Sequence, residues 1–252
     1  MELHARQGLA GRRAWNPIDG IRFQSRQNAM GTGQAVPFLD TWGGENVKCV
    51  TLVTMSVCCF VVFGSRSFGQ DAKAKNELAE RARHEFLDRN YAEAERDFRE
   101  LTRADPSNIL AHMFLGQSLF SQEKYAEAVG PYERVRELEA KRKVFSVDQK
   151  RVLTDQLSMS YGMSGQIEKA RALLEAAVRQ DPEYPLNYYN LACAFAEAGD
   201  RDQMLANLVL AFQHKKNMLK GEQLPDPRSD PSFQKYIQDP EFIKLAKGAG
   251  LK

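Results

Sequence analysis

Three stretches of this chain carry one pattern, at steps of 42 and 34 residues, and that repetition restricts the fold more than any single motif. Aligned from Ala111, Leu153 and Asn187, "AHMFLGQSLFSQEKYAEAVGPYERV", "LTDQLSMSYGMSGQIEKARALLEAA" and "NYYNLACAFAEAGDRDQMLANLVLA" bring Leu115, Leu157 and Leu191 into register. Each leucine precedes a small residue, Gly116, Ser158 or Ala192, and three positions on comes a large apolar one, Leu119, Tyr161 or Phe195. Ala128, Ala170 and Met204 follow, and four residues later Tyr132, Leu174 and Leu208. A weaker copy precedes them in "LAERARHEFLDRNYAEAERDFRELTRADPSN", with Ala82, Ala94, Phe98 and Pro106. Ala94 to Ala128 is 34 residues, Ala128 to Ala170 is 42, and Ala170 to Met204 is again 34.

The chemistry of each column has a reason. Small residues let two antiparallel helices approach, and the large ones fill the space beside the contact and against the next unit. Asp105-Pro106 and Asp181-Pro182 end the second helix of a unit, because proline disfavours a helical conformation in the residue before it. In these residues the chain resembles the tetratricopeptide repeat family, over about residues 75–216. The resemblance implies an all-α fold: a right-handed superhelical solenoid of antiparallel helix pairs, closed by a C-terminal capping segment. Four repeats are predicted, at 75–108, 109–142, 151–184 and 185–216, with an insert at 143–150.

Departures from the pattern carry expectations of their own. The first copy has Arg81 and Glu85 where the family has apolar residues, so its packing is expected to lean on Phe86 and Leu87. In the insert, Ser146 and Gln149 have the spacing of a helix-capping box, which predicts flanking helices longer by about a turn. After residue 217 the chain reads "LPDPRSDPSFQKYIQDPEFIKLAKGAG"; Asp230-Pro231 and Asp239-Pro240 are start signals for two short helices. Phe233, Tyr236, Ile237, Phe242, Ile243 and Leu245 would give these one apolar face, fit to cover the last repeat. The segment 217–252 is therefore expected to be a cap, and it looks like the Asp-Pro-x-Phe tails of other bacterial members of the family.

An apolar run of 15 residues, Cys49–Phe63, follows Lys48 and precedes Ser67-Phe68-Gly69. It is shorter than the ~20 residues of a membrane-spanning helix and has the order of an export signal: a basic start, an apolar middle and a small-residue cut site. Residues 47–69 are read as that signal, with the mature chain starting at Gln70 or Asp71, outside the cytoplasm, periplasmic or secreted. An uncleaved anchor in the inner membrane is the alternative. Residues 1–46 show no helical or strand period and are expected to be disordered or not translated, with Val47 or Met30 as later starts.

Charge and cysteine content narrow the partners. The chain has 35 basic and 33 acidic residues; residues 1–69 hold 7 and 4 of these, which leaves 28 against 29. No basic excess remains to neutralise a phosphate backbone, so nucleic acid is not an expected partner. Cys193 is left alone, so no internal disulfide is expected in the mature chain. No stable membrane span remains after signal cleavage, and the oligomeric state is left open.

Neither a catalytic set nor a cofactor site assembles. "HEFLD" at His84 lacks the second histidine of a zinc-protease helix, having Asp88 instead. "GTGQAV" at Gly31 lacks the third glycine of a dinucleotide loop. His112 falls at an aromatic position and is expected to pack in the core, while Glu93, Glu95 and Glu100 are assigned to solvent faces. No metal, cofactor or enzymatic activity is expected. The expected function is an exported protein–protein interaction scaffold or adaptor that binds a segment of another envelope protein. An enzyme, or enzyme subunit, with dispersed catalytic residues is the alternative.

Within the family the first helix of each pair lines the inner surface. Carried over position by position, that surface takes Arg83 and Phe86; Leu110, Met113, Gln117 and Phe120; Val152, Asp155, Met159 and Met163; and Leu186, Tyr189, Cys193 and Glu197. Most are apolar, which suits an extended or helical segment with large hydrophobic anchors. Members that grip the carboxylate end of chaperone tails use Lys, Asn and Arg at such places, where this chain has Ala79, Phe114, Val152 and Gln156, so that mode is not implied.

Overall fold

The computed structural model describes residues 65–249. The expected leader, 1–46, and most of the expected signal lie outside them. The described chain is a succession of helices: α1 (Ser65–Leu87), α2 (Tyr91–Ala104), α3 (Ile109–Ser121), α4 (Tyr125–Arg142), α5 (Val147–Met163), α6 (Ile167–Gln180), α7 (Pro185–Ala198), α8 (Arg201–Gln213) and α9 (Pro240–Gly248). Short 3-10 turns occupy Lys215–Asn217 and Pro231–Tyr236. The first eight helices form four antiparallel pairs in a helical solenoid. The cut expected after Gly69 falls inside α1.

The turn inside each pair repeats with the same intervals as the sequence. Arg89, Glu123, Gly165 and Gly199 take left-handed backbone conformations, with φ of 66°, 60°, 79° and 84°. The following amide, of Asn90, Lys124, Gln166 or Asp200, donates to the carbonyl five residues back, on Glu85, Leu119, Tyr161 or Phe195. Each is a Schellman stop, which satisfies a carbonyl left over at the helix end. Glycine fits the left-handed position without a Cβ penalty; Arg89 and Glu123 adopt it because the second helix must fold back there.

Between pairs, four-residue connections place Asp105 and Asp181 directly after α2 and α6, as their prolines require. The insert adds no loop. Relative to α2 and α3, α4 runs four residues further at its end and α5 starts four residues earlier, so both extensions lie at the same edge. Both bonds of the capping box form: Gln149 N–H donates to Ser146 Oγ (3.2 Å), and Ser146 N–H donates to Gln149 Oε1 (2.8 Å).

Two apolar cores result. One runs through the first three pairs, from Ala79 to Ala170; the second joins α7 and α8 to the tail through Tyr189, Leu208, Phe233 and Phe242. Phe233 and Phe242 are fully buried, with their rings 5.8 Å apart. Asp230 accepts from Ser232 N–H, and Asp239 from the amides of Glu241 and Phe242, so both Asp-Pro pairs open a helical segment. Arg201 clamps the second of these to the start of α8, donating to both Asp239 oxygens (2.6 and 2.9 Å) and to Glu241 (2.7 Å). That clamp holds the Asp239 carboxyl down at about 2.

The first pair meets its polar departure with an ion pair. Arg81 donates to the buried Asp97 of α2 at 2.6 Å, while Phe86 is buried and Leu87 only half-buried. His112 is corrected: it lies half-buried at the edge of the core, its Nε2 3.2 Å from the Pro106 carbonyl, and burial lowers its pKa. Glu95 also departs from its solvent assignment. It joins α2 to the turn between α3 and α4 by accepting from Lys124 and Gln122, and from Arg99 on its own helix, at 2.8–2.9 Å. Among the described residues no helix is long and apolar enough to cross a membrane.

Candidate peptide-binding surface

Successive first helices approach one another, α3 to α5 and α5 to α7, whereas successive second helices do not come comparably close. The side on which neighbours converge is the concave one, so α1, α3, α5 and α7 line the inner surface and the amphipathic α2 and α6 face outward. Crowding on this side explains why α3 and α7 are buried almost all round.

The inner stripe is less open than its apolar composition suggests. Phe86, Met113, Gln117, Phe120, Asp155, Tyr189 and Cys193 are buried. Arg83, Leu110, Val152, Met159, Met163, Leu186 and Glu197 are half-buried. Buried members serve the cores: Phe86 packs edge-on against Phe114 at 5.1 Å, and Phe120 against Tyr125 at 5.2 Å. The accessible residues cluster on the first three pairs, chiefly Leu110, Val152, Met159 and Met163.

On the fourth pair the chain covers its own inner surface. After the turn Lys215–Asn217, residues 218–233 run along α7 from its start toward its end. Tyr184, at the N-cap of α7, donates to Glu222 at 2.8 Å; one turn further Tyr189 donates to Asp230 at 3.0 Å, and Cys193 Sγ lies 3.9 Å from the same oxygen. Phe233 then meets the Tyr189 ring edge-on at 5.7 Å. Ser232, Cys193 and Glu197 line one small cavity of about 30 Å³ together with Met159 and Met163, which is room for about one water molecule.

A buried polar set underlies this strap. Asn190 donates to Asp155 (2.7 Å), and Arg151 donates to both oxygens of Asp181 while its guanidinium lies 4.5 Å from the Tyr184 ring centre. Burial raises the Tyr184 hydroxyl, and the Glu222 charge adds to this. Burial likewise pushes the Glu222 carboxyl up, the Tyr184 hydrogen bond opposes it, and the Asp155 charge reinforces it. The folded state thus holds that proton more tightly than the unfolded one. Glu222 favours folding as pH falls to the ordinary carboxylate range and weighs against it as pH rises through its folded value. Glu222→Gln keeps an acceptor for Tyr184 and removes the buried charge. It is expected to raise the thermal midpoint at pH 7, with the difference vanishing near about pH 4; thermal melts across pH check this, and a lower midpoint at pH 7 contradicts it.

None of these contacts follows from the repeat columns. Glu222 lies in no repeat, and Arg151 and Tyr184 sit at the edges of helices where the columns carry no weight. At the position of the incomplete zinc motif, His84 and Asp88 face each other 3.7 Å apart on the exposed surface.

The profile of the tetratricopeptide repeat family matches residues 72–141 and 157–202. Among solved structures, a MamA protein superposes with a TM-score of 0.55 at 15% identity, covering 71% of this chain and 92% of that one. YrrB, described as a TPR protein with an unusual peptide-binding site, superposes at 0.52 and 13% identity, covering 74% and 91%. At such identities the likeness concerns the fold. No curated protein sequence matches the chain.

Proposed function

We propose that this tetratricopeptide repeat protein is an exported scaffold that holds a segment of another envelope protein along the inner surface of its first three pairs. The observation that carries the reading is the strap: the inner face of α7 already receives an extended stretch of chain through tyrosine hydroxyls and an aromatic anchor. The partner's segment continues that mode of binding onto Leu110, Val152, Met159 and Met163, where aliphatic and thioether side chains adapt to large apolar anchors.

Affinity capture from an envelope extract of the native host, with mass-spectrometric identification, tests this. Replacing Leu110, Met159 and Met163 by glutamine is expected to weaken capture of the wild-type partner by roughly 10-fold or more, the equivalent of about 1.4 kcal/mol. These side chains are half-buried, so circular dichroism should show the fold retained. Undiminished capture by the folded variant would move the site off this face. Sequencing the N-terminus of the same bait reads export: a start at Gln70 or Asp71 supports it, and a soluble chain that retains Met1 contradicts it.

A further inference from the structure

The outer helices carry their charges in one order. α2, α4, α6 and α8 have Glu93, Glu127, Glu168 and Asp202 in their first turns, and the first three end on Arg103, on Lys141 and Arg142, and on Arg179. This order suits the helix dipole. Because the outer helices run in one direction, it also gathers basic side chains along one edge of the solenoid.

The extended connection between α4 and α5 stands in the middle of that edge. Four extra residues on each helix carry it about one turn, ~6 Å, beyond the neighbouring connections. It is firmly built. Lys143 takes a left-handed conformation (φ 53°), the Glu139 carboxylate accepts from the amides of Val144 (2.9 Å) and Phe145 (3.0 Å), and Phe145 is buried. The same geometry holds Val144 and Val147 in solvent at 59% and 60% exposure, the highest of any large hydrophobic among the described residues. Lys141, Arg142 and Lys143 are exposed and form no ion pair among the described residues. Two aliphatic side chains fixed in water contribute nothing to either core.

We propose that this edge docks on an anionic phospholipid surface, with Val144 and Val147 entering the headgroup layer and Lys141, Arg142 and Lys143 facing the lipid phosphates. One feature favours a bilayer over a protein partner. The valines stand on a projecting turn, which a protein would have to meet with a shaped pocket and a headgroup layer receives by yielding.

Co-sedimentation of the full chain with vesicles tests it, phosphatidylglycerol-containing against pure phosphatidylcholine. The wild type is expected to prefer the anionic vesicles, and added salt to reduce the preference. A K141E/R142E/K143E variant should partition onto them roughly 10²-fold more weakly, and a V144S/V147S variant should also lose binding. The charge variant should match the wild type on neutral vesicles, where any contribution of the apolar run is common to all forms, and both variants should keep the wild-type circular dichroism. A wild type without anionic preference overturns the proposal. So does a valine variant that binds anionic vesicles as the wild type does.

Discussion

Gly116→Val is expected to unfold the second pair or to leave the chain at the margin of stability. A Cβ at this position of α3 would stand 2.6 to 2.9 Å from three atoms of the Tyr132 ring, closer than any ordinary contact. The ring cannot give way: Tyr132 is fully buried, and its hydroxyl donates to Gln156 on the next helix at 3.0 Å. Even alanine, which gains up to about 1 kcal/mol in helix propensity over glycine, should lose stability here, because overpacking costs about 1–3 kcal/mol. Valine adds two further carbons to the same clash. Urea denaturation checks both variants, and an alanine variant as stable as the wild type would contradict the packing described. At the same separation of sixteen residues, Ala82 is matched with Phe98, Ser158 with Leu174 and Ala192 with Leu208, so a side chain beyond Cα is tolerated at this column in the other units.

Phe233→Ala is expected to cost about 3–5 kcal/mol, the range for truncating a fully buried aromatic side chain. Its ring fills the second core between Tyr189 and Phe242, and the 3-10 turn that carries it is pinned by the Asp230 carboxylate to α7. At roughly 2–4 °C per kcal/mol for a chain of this size, the thermal midpoint should fall by about 6–20 °C. Removing everything after Asn217 takes away Leu224, Phe233, Phe242 and Ala246 together and uncovers their partners on α7 and α8. The truncated chain should melt lower and associate. An unchanged melting curve and a monomeric truncation would show the tail to be a free appendage.

The repeat was legible because each column is a packing rule that one chain states several times. Ala82, Gly116, Ser158 and Ala192 mark helix approaches, and the left-handed turns from Arg89 to Gly199 keep the intervals of the alanine column. The Asp-Pro starts and the capping box were legible for a different reason: a cap is local, and its partners lie within three residues. Accessibility of the inner stripe was not. Met113 and Phe120 have the same periodicity as Met159, and only the approach of neighbouring helices and Tyr125 decides which are buried. The strap escaped for want of any local signal, since Tyr184 and Glu222 are 38 residues apart and their bond exists only once the tail has turned back. His112 was misplaced because its column favours an aromatic ring, whereas its own ring nitrogen is drawn to the Pro106 carbonyl.

Site-specific photo-crosslinking in the native host tests the division of the inner surface most directly. A photoreactive side chain at Leu110 or Met159 is expected to join the chain to a partner protein. One at Leu186, beside the strap, should yield links to residues of the tail, and one at the exposed outer positions Ala172 or Ala206 should yield neither. Links to the partner from Ala172 or Ala206, with none from Leu110 and Met159, would contradict the account.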